Sequence, residues 1–528
     1  MNLGQARTRL VQGGVALAAV ALIAGCGSNY RPVVTPVTPS GPAAQPSSYA
    51  VVVSAPSTTT PGVATIVDYS GDTVLALAPI GPGPVAFTID EIGSTGYTVN
   101  SDGTLSNFPI SSSLQAKQVD YTTLPATAQP VNLFSPSAGL FAADLNGNVT
   151  DVFTGFPQSF KLAIPVKTTP VMIVGPGLLS QRFFSLSQNL PGTPSGVECN
   201  ASPSSAGVNG EVDGIDLSTY TRSSQIGLDP YNPGNSAAGT MNGVCPVYAV
   251  ESSDTKRLFV LNRGSDTISV INAQDNTLDQ CTPFKNQNGQ TVNCHPILPL
   301  SLNAVSALNK AYKDAGSPAN ESTGTPPNGT TGMTAKAGPV YAEYNSATAQ
   351  LVVANYDGGT ISVIDVSEDE YGNDSATFGA TYTIPVGNHP ASVTVLADGS
   401  RAYTANQTDQ TVSIVTLSSH TVEKTLPVTG HPRTVVSTQN SEQGKVYAAS
   451  PDSPYLTILR TDLDIVDTTV LVEGNIVDVR VTTQAGSAGN NNTNSRRPGF
   501  GQPCYLPPSI EPAPTGTQTP LDVCRTLP

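Results

Sequence analysis

Two histidines at matching places raise the first chemical question. His389 and His431 each stand directly before a proline, Pro390 and Pro432, and each follows a turn-forming residue, Asn388 or Gly430. Two neighbouring imidazoles can bind a metal ion or act as acid and base near pH 7. The chain has four His in all. His295 also precedes a proline, and His420 lies in a polar turn beside Ser418 and Ser419. A repeated turn explains the pair more simply, because no third metal ligand accompanies it. Asp144, Asn146, Asn148 and Asp151 resemble a calcium loop, but the spacing lacks the sixth-position Gly and the closing Glu. Asn146-Gly147 reads instead as a hairpin turn. Asp357, Asp409 and Asp452 recur in one turn of successive units, where turn chemistry accounts for them. The chain contains no GxSxG, HExxH or phosphate-binding loop. Catalytic residues are therefore unknown beyond the weak candidates His389 and His431, and neither a metal site nor a cofactor is expected.

Cysteine has a clearer use. Arg7 and Arg9 precede an apolar run, Val15 to Ala24, that ends in Gly25-Cys26. A basic start, a short apolar core and small residues before a cut describe a secretory leader over 1–25. The run is shorter than the roughly 20 residues a membrane span needs. Small residues followed at once by Cys26 resemble the bacterial lipobox. That resemblance implies lipidation of Cys26 and an anchor in a bacterial membrane, with the outer membrane expected because Gly27 rather than Asp follows. Residues 26–48, rich in Pro, Ser and Thr, read as a tether. Six Cys remain, and the most local of their 15 connectivities pairs Cys199 with Cys245, Cys281 with Cys294 and Cys504 with Cys524. None has CxxC spacing, and an oxidising compartment is the coherent address.

Charge narrows the partners. Net charge is −15 and only 12 % of residues are charged. A polyanion without a basic cluster does not bind nucleic acid.

The elements that must position these residues repeat along the chain. LVVANYDGGTISVIDV, starting at Leu351, has the form of an apolar strand, a turn and a second strand. Variants begin at Arg257, Arg401 and Lys445. The polar residues that close the first strand serve as register marks: Ser54, Asn100, Asn146, Asn189, Asn262, Asn355, Asn406 and Ser450. Four of their seven spacings lie between 43 and 46 residues, the length of a four-stranded propeller blade. Residues 49–82 supply three strands without an inner one, and 475–484 supply one strand without followers. Joined, they complete a blade and close a ring. The expectation is an all-β propeller over 49–484 with seven or eight blades, eight by count. Insertions fall near 190–211 and at 281–336, the second with an amphipathic helix from Leu302 to Lys313. Residues 485–528 form a Cys-containing tail.

Tyr97-Thr98-Val99-Asn100, Phe259-Val260-Leu261-Asn262, Val352-Val353-Ala354-Asn355 and Tyr403-Thr404-Ala405-Asn406 resemble the YVTN β-propeller repeat family, three of them followed by TISVI or TVSIV. The resemblance is strong over 242–474 and implies the fold more than any function. Trp is absent, which argues against a tryptophan-docked quinoprotein propeller. The leading expectation is a binding or scaffold module for an envelope protein, peptide or glycan, with 281–336 as its specificity element. The alternative is a propeller hydrolase of lactonase type, with His389 and His431 at the channel mouth.

Overall fold

A computed structural model describes residues 48–482, apart from 137–138, 156, 176–181, 190–208, 232–241, 281–283, 286–290, 293, 317–329 and 443. The leader, Cys26, the tether to 47 and the tail from 483 lie outside the described residues. Eight antiparallel blades, each with a core of four strands, stand around one axis. Blade 1 combines Tyr49–Ala55, Pro61–Asp68 and Val74–Pro82 with Asn475–Val481 from the other end of the chain. Blades 2 to 8 follow in order, with inner strands Pro84–Ile89, Pro130–Phe134, Pro170–Val174, Pro246–Glu251, Pro339–Asn345, Pro390–Val395 and Thr434–Ser437. Asn475–Val481 takes the inner place in blade 1 and touches the inner strands of blades 2 and 8, so the ring closes. The stretch 171–239 contains a full blade, which decides the count at eight.

Burial explains the two kinds of strand in the sequence. The three inner strands of a blade are covered on both faces by neighbouring blades. Strands such as Arg257–Asn262 are buried throughout and read as continuous apolar runs. Outer strands such as Thr421–Pro427 and Ile465–Leu471 have mostly exposed or half-buried residues and carry the charges.

The register marks have a structural role. In blades 2 to 7 the inner strand opens with a proline paired to the residue that closes the second strand, as Pro246 is to Asn262 and Pro339 to Asn355. A proline is tolerated at a strand's first residue because no ladder donor is needed there. The Asn side chain then donates to two hydroxyls of the third strand. Asn355 Nδ2 reaches Thr360 at 3.1 Å and Ser362 at 2.8 Å, and Asn100, Asn262 and Asn406 repeat the pattern. TISV is thus written by this bond. In blades 3 and 4 the paired residues are Asp144 and Ser187, two positions before the expected Asn146 and Asn189. Asn146 belongs to the hairpin turn, and Asp144 Oδ1 accepts its N–H at 3.0 Å.

Inner strands also leave backbone N–H groups facing the axis, where no fifth strand can pair them. A side chain of the preceding blade accepts several of these. Asn132 takes the Ile173 N–H at 2.9 Å, Glu343 that of Val395 at 3.1 Å, and Thr394 that of Ser437 at 3.2 Å. Burying a donor unpaired would cost about 1–3 kcal/mol, so these contacts hold neighbouring blades in register.

Candidate functional site

Strand order sorts the loops onto two rims. The turns between second and third strands and the blade-to-blade connections share one, called here the crossover rim. The first-to-second and third-to-fourth turns share the opposite rim.

Three long excursions leave the crossover rim beside one another: 188–210 within blade 4, 228–245 between blades 4 and 5, and 300–338 between blades 5 and 6. The roots of the first two are stitched together by buried amides and a carboxylate. Asp229 accepts the Asn242 N–H at 2.7 Å, and Asn209 Nδ2 donates to Asp229 at 3.4 Å. Gly243 N–H donates to the Asn209 side chain at 3.0 Å. The third excursion carries α1, Leu302–Asp314, capped by Ser301, whose hydroxyl accepts the Ala304 N–H at 3.1 Å. Ala304, Leu308 and Ala311 face inward from α1, and Tyr312 meets Tyr231 of the second excursion edge-on at 5.9 Å. Asp266, in a turn of blade 5, accepts the N–H groups of Ala337 and Gly338 at 3.2 and 2.7 Å. Leu302 N–H donates to the Thr334 carbonyl at 2.9 Å, so the two ends of the helical excursion meet.

The segment expected as one insertion at 281–336 is two. Its first part interrupts the outer strand of blade 5, which is split into Thr277–Leu278 and Ile297–Pro299, both paired to Thr267–Asn272. A buried charge network pins this part to the ring. His295 Nδ1 pairs with Asp374 at 2.7 Å, and Arg257 reaches Asp374 and Asp279 at 3.2 Å each. Phe378 stacks on His295 at 5.3 Å. Burial, then the adjacent Asp374, pushes the Asp279 carboxyl up to about 7.

His389 and His431 lie at the crossover rim, as their spacing suggested, and each is held between the turns of two neighbouring blades. His389 pairs with Thr408 at 2.6 Å and stacks on Tyr356 at 4.5 Å. His431 Nδ1 pairs with Asp452 at 2.6 Å while its Nε2 meets the Gln410 amide at 3.1 Å. That amide donates, which leaves the His431 proton on Nδ1. His420 occupies a turn at φ +55° and stacks on Tyr382 at 3.8 Å. Asp357, Asp409 and Asp452 hold turns together: Asp357 pairs with Arg263 at 2.8 Å, and Asp409 accepts the Asn388 N–H at 2.7 Å. Among the described residues no three His, Cys, Asp or Glu side chains are grouped to hold a metal ion. Cys245 and Cys294 each take part in a disulfide; Cys199, Cys281, Cys504 and Cys524 lie outside the described residues.

The axis itself holds a cluster that spacing did not reveal. Arg480 and Asp478 of blade 1 pair at 2.5 Å, and Thr434 of blade 8 donates to Asp478 at 3.0 Å. Arg433 donates to the Val477 carbonyl. Tyr248 of blade 5 and Tyr341 of blade 6 pack at 4.6 Å and hydrogen-bond through their side chains. Burial raises both phenols, Tyr341 to about 12, and the charge of Arg480 reaches both from the other side of the ring. Glu343 is half-buried. Burial pushes its carboxyl up to about 8, against the hydrogen bonds from Val395, Thr394 and Gln439. The available signal was a charge inside an apolar strand, as in Asn475–Val481, NIVDVRV.

No protein-family model matches the chain, and no curated protein matches it either. Solved structures do. Dihydro-heme d1 dehydrogenase NirN in complex with DHE aligns at TM-score 0.51 and 12 % identity, covering 83 % of this chain and 75 % of that one. Apo AztD from Citrobacter koseri aligns at 0.49 and 11 %, covering 84 % and 100 %. The Pseudomonas aeruginosa periplasmic gluconolactonase PpgL aligns at 0.44 and 14 %, covering 83 % and 100 %. At these identities the likeness concerns the fold alone.

Proposed function

We propose that this protein is a lipid-anchored binding module of the bacterial cell envelope, exported through residues 1–25 and anchored at Cys26 to the outer membrane. Its partner is an envelope macromolecule, a protein, peptide or glycan, that docks on the crossover rim above blades 4 and 5. The roots of three excursions on one rim, the first two joined by the Asn209–Asp229–Asn242 network and the third meeting the second through Tyr312 and Tyr231, carry this reading. Rigid scaffolds place recognition in such loops. The lactonase-type alternative is weaker, because His389 and His431 are both taken up in turn contacts, with Thr408 and with Gln410 and Asp452, and among the described residues no third metal ligand is grouped with them.

The test excises α1 together with Thr330–Thr331, an added strand paired to Thr381 and Tyr382 of blade 6. Deleting 285–335 would also remove Ile297–Pro299 and His295, and with them half an outer strand. Replacing 303–333 by two glycines uses the contact already present between Leu302 and Thr334. Crosslinking in intact cells, followed by purification of the full lipidated chain, should capture a reproducible partner that the excised variant loses while still unfolding in one cooperative transition. Capture undiminished by the excision would refute the proposed docking rim.

A further inference from the structure

We infer that the rim opposite the excursions, at blades 8, 1 and 2, rests on a zwitterionic lipid surface and so turns the crossover rim away from the membrane. The inference rests on the anchor at Cys26 proposed above. Among the described residues, twelve large apolar side chains are exposed. Four of them belong to the blades at the seam where the ring closes: Ile92 at 59 %, Leu463 at 54 %, Val74 at 40 % and Ile465 at 36 %. Ile92 lies in the first-to-second turn of blade 2 and Leu463 in the third-to-fourth turn of blade 8, while Val74 and Ile465 open the outer strands of blades 1 and 8. All four positions are at the opposite rim. Contacts tie these turns together. Lys445 of blade 8 pairs with Asp72, two residues before Val74. Gly93, next to Ile92, packs so closely on Thr482 that a Cβ there would lie 3.0 Å from it.

The acids beside these residues already have partners. Asp462 is matched by Arg460 at 2.6 Å, Asp464 by Arg401 and Asp72 by Lys445, and Asp90 accepts the Ser94 N–H and hydroxyl. Exposed aliphatic groups flanked by matched charges offer no directional contact to a specific partner, and lipid needs none. Glu442 is exposed on the same rim and disfavours anionic headgroups, which leaves a zwitterionic surface. The place where the chain enters the ring selects lipid over other occupants. The first strand begins at Tyr49, on this rim, where the Thr482 N–H bonds to it. Residues 26–48 span at most about 80 Å when fully extended. A lipid-bound Cys26 therefore presents this rim to the bilayer at an effective concentration on the order of millimolar. A contact far too weak to recruit a free chain is then sufficient.

The chain contains no Trp, so one introduced indole reports on one place. The full lipidated chain is reconstituted with vesicles of phosphatidylcholine and phosphatidylethanolamine, a fraction of them spin-labelled at the headgroup as quencher. Emission from Leu463→Trp should shift to the blue on the vesicles and be quenched at least twofold more than emission from Asn303→Trp, an exposed position on α1. Ile92→Trp repeats the measurement on another blade and decides it if Leu463→Trp misfolds. Adding Val74→Asn and Ile465→Asn to Leu463→Trp should bring its quenching down to that of Asn303→Trp while the chain still floats with the vesicles. Flotation tests the anchor separately. Its loss in Cys26→Ser supports the anchor, and a parent chain that does not float would refute the anchor and this orientation together. A chain that floats with equal quenching at positions 463, 92 and 303 would overturn the inference alone and leave the rim facing solvent or a protein.

Discussion

Glu343 of blade 6 accepts the Val395 N–H of blade 7 at 3.1 Å, so one carboxyl both seals a strand edge and faces the axis of the ring. A carboxyl raised in the folded state holds its proton where the unfolded chain has released it. The ring is therefore relatively more stable below the ordinary glutamate value of 4.5, and that advantage is lost as pH climbs toward about 8. Asp151 and Asp279, each raised to about 7, act in the same direction. Glu343→Gln should flatten the decline in stability between pH 5 and pH 9 by on the order of 1–3 kcal/mol. Urea unfolding at the two pH values measures it, and a decline as steep as in the parent chain would contradict the assignment.

Asn355→Ala removes the donor shared by Thr360 and Ser362. Two buried hydroxyls lose that donor, Ser362 keeping its contact with Thr383, and the expected cost is about 1–3 kcal/mol. Exposed Asn303 on α1, changed to Ala, should move stability by less than about 0.5 kcal/mol. Equal effects at the two positions in denaturant titrations would show that the register asparagines are decorative.

Asp374→Ala leaves Arg257 without one carboxylate and His295 without its partner. Breaking a buried network of this kind costs about 3–5 kcal/mol. Hydrogen exchange should also speed up across 294–299 ahead of the remaining blades. Uniform acceleration around the whole ring would mean that the network does not anchor the interrupted strand.

Changing both His389 and His431 to Ala should alter stability by no more than about 1 kcal/mol per site, since His431 and Asp452 are substantially exposed. A panel of lactones should be hydrolysed no faster by the parent chain than by buffer. Turnover that the double variant abolishes would replace the binding proposal with the hydrolase.

The ring could be read from the chain because each blade states the same local pattern: an apolar strand, a polar stop, then a strand with hydroxyls at fixed offsets. Closure could be read because the three strands of 49–82 and the single strand near 475 each lack what the other supplies. The register slipped in blades 3 and 4, where Asn146 and Asn189 outshone Asp144 and Ser187, since a side chain's role depends on what it faces. His389 and His431 were found by their prolines, and their spacing could not say that each would be occupied by the turns of two neighbouring blades. The axial cluster was hidden for a related reason. Tyr248, Tyr341, Arg433 and Arg480 come from four blades, and only closure of the ring brings them together.

That closure has a mechanical consequence. Tyr49 and Thr482 are bonded to each other, with the Thr482 N–H donating to the Tyr49 carbonyl at 2.8 Å. Both stand at the rim opposite the excursions. Tyr49–Ala55 has a partner strand on each side, Pro61–Asp68 and Asn475–Val481. A pull along the strand through the proposed tether would load both hydrogen-bonded ladders in shear, all rungs sharing the force instead of parting one by one. The closing blade is thus also the ring's strain relief, and tension at the anchor would be spent there before it reached the loops of the far rim.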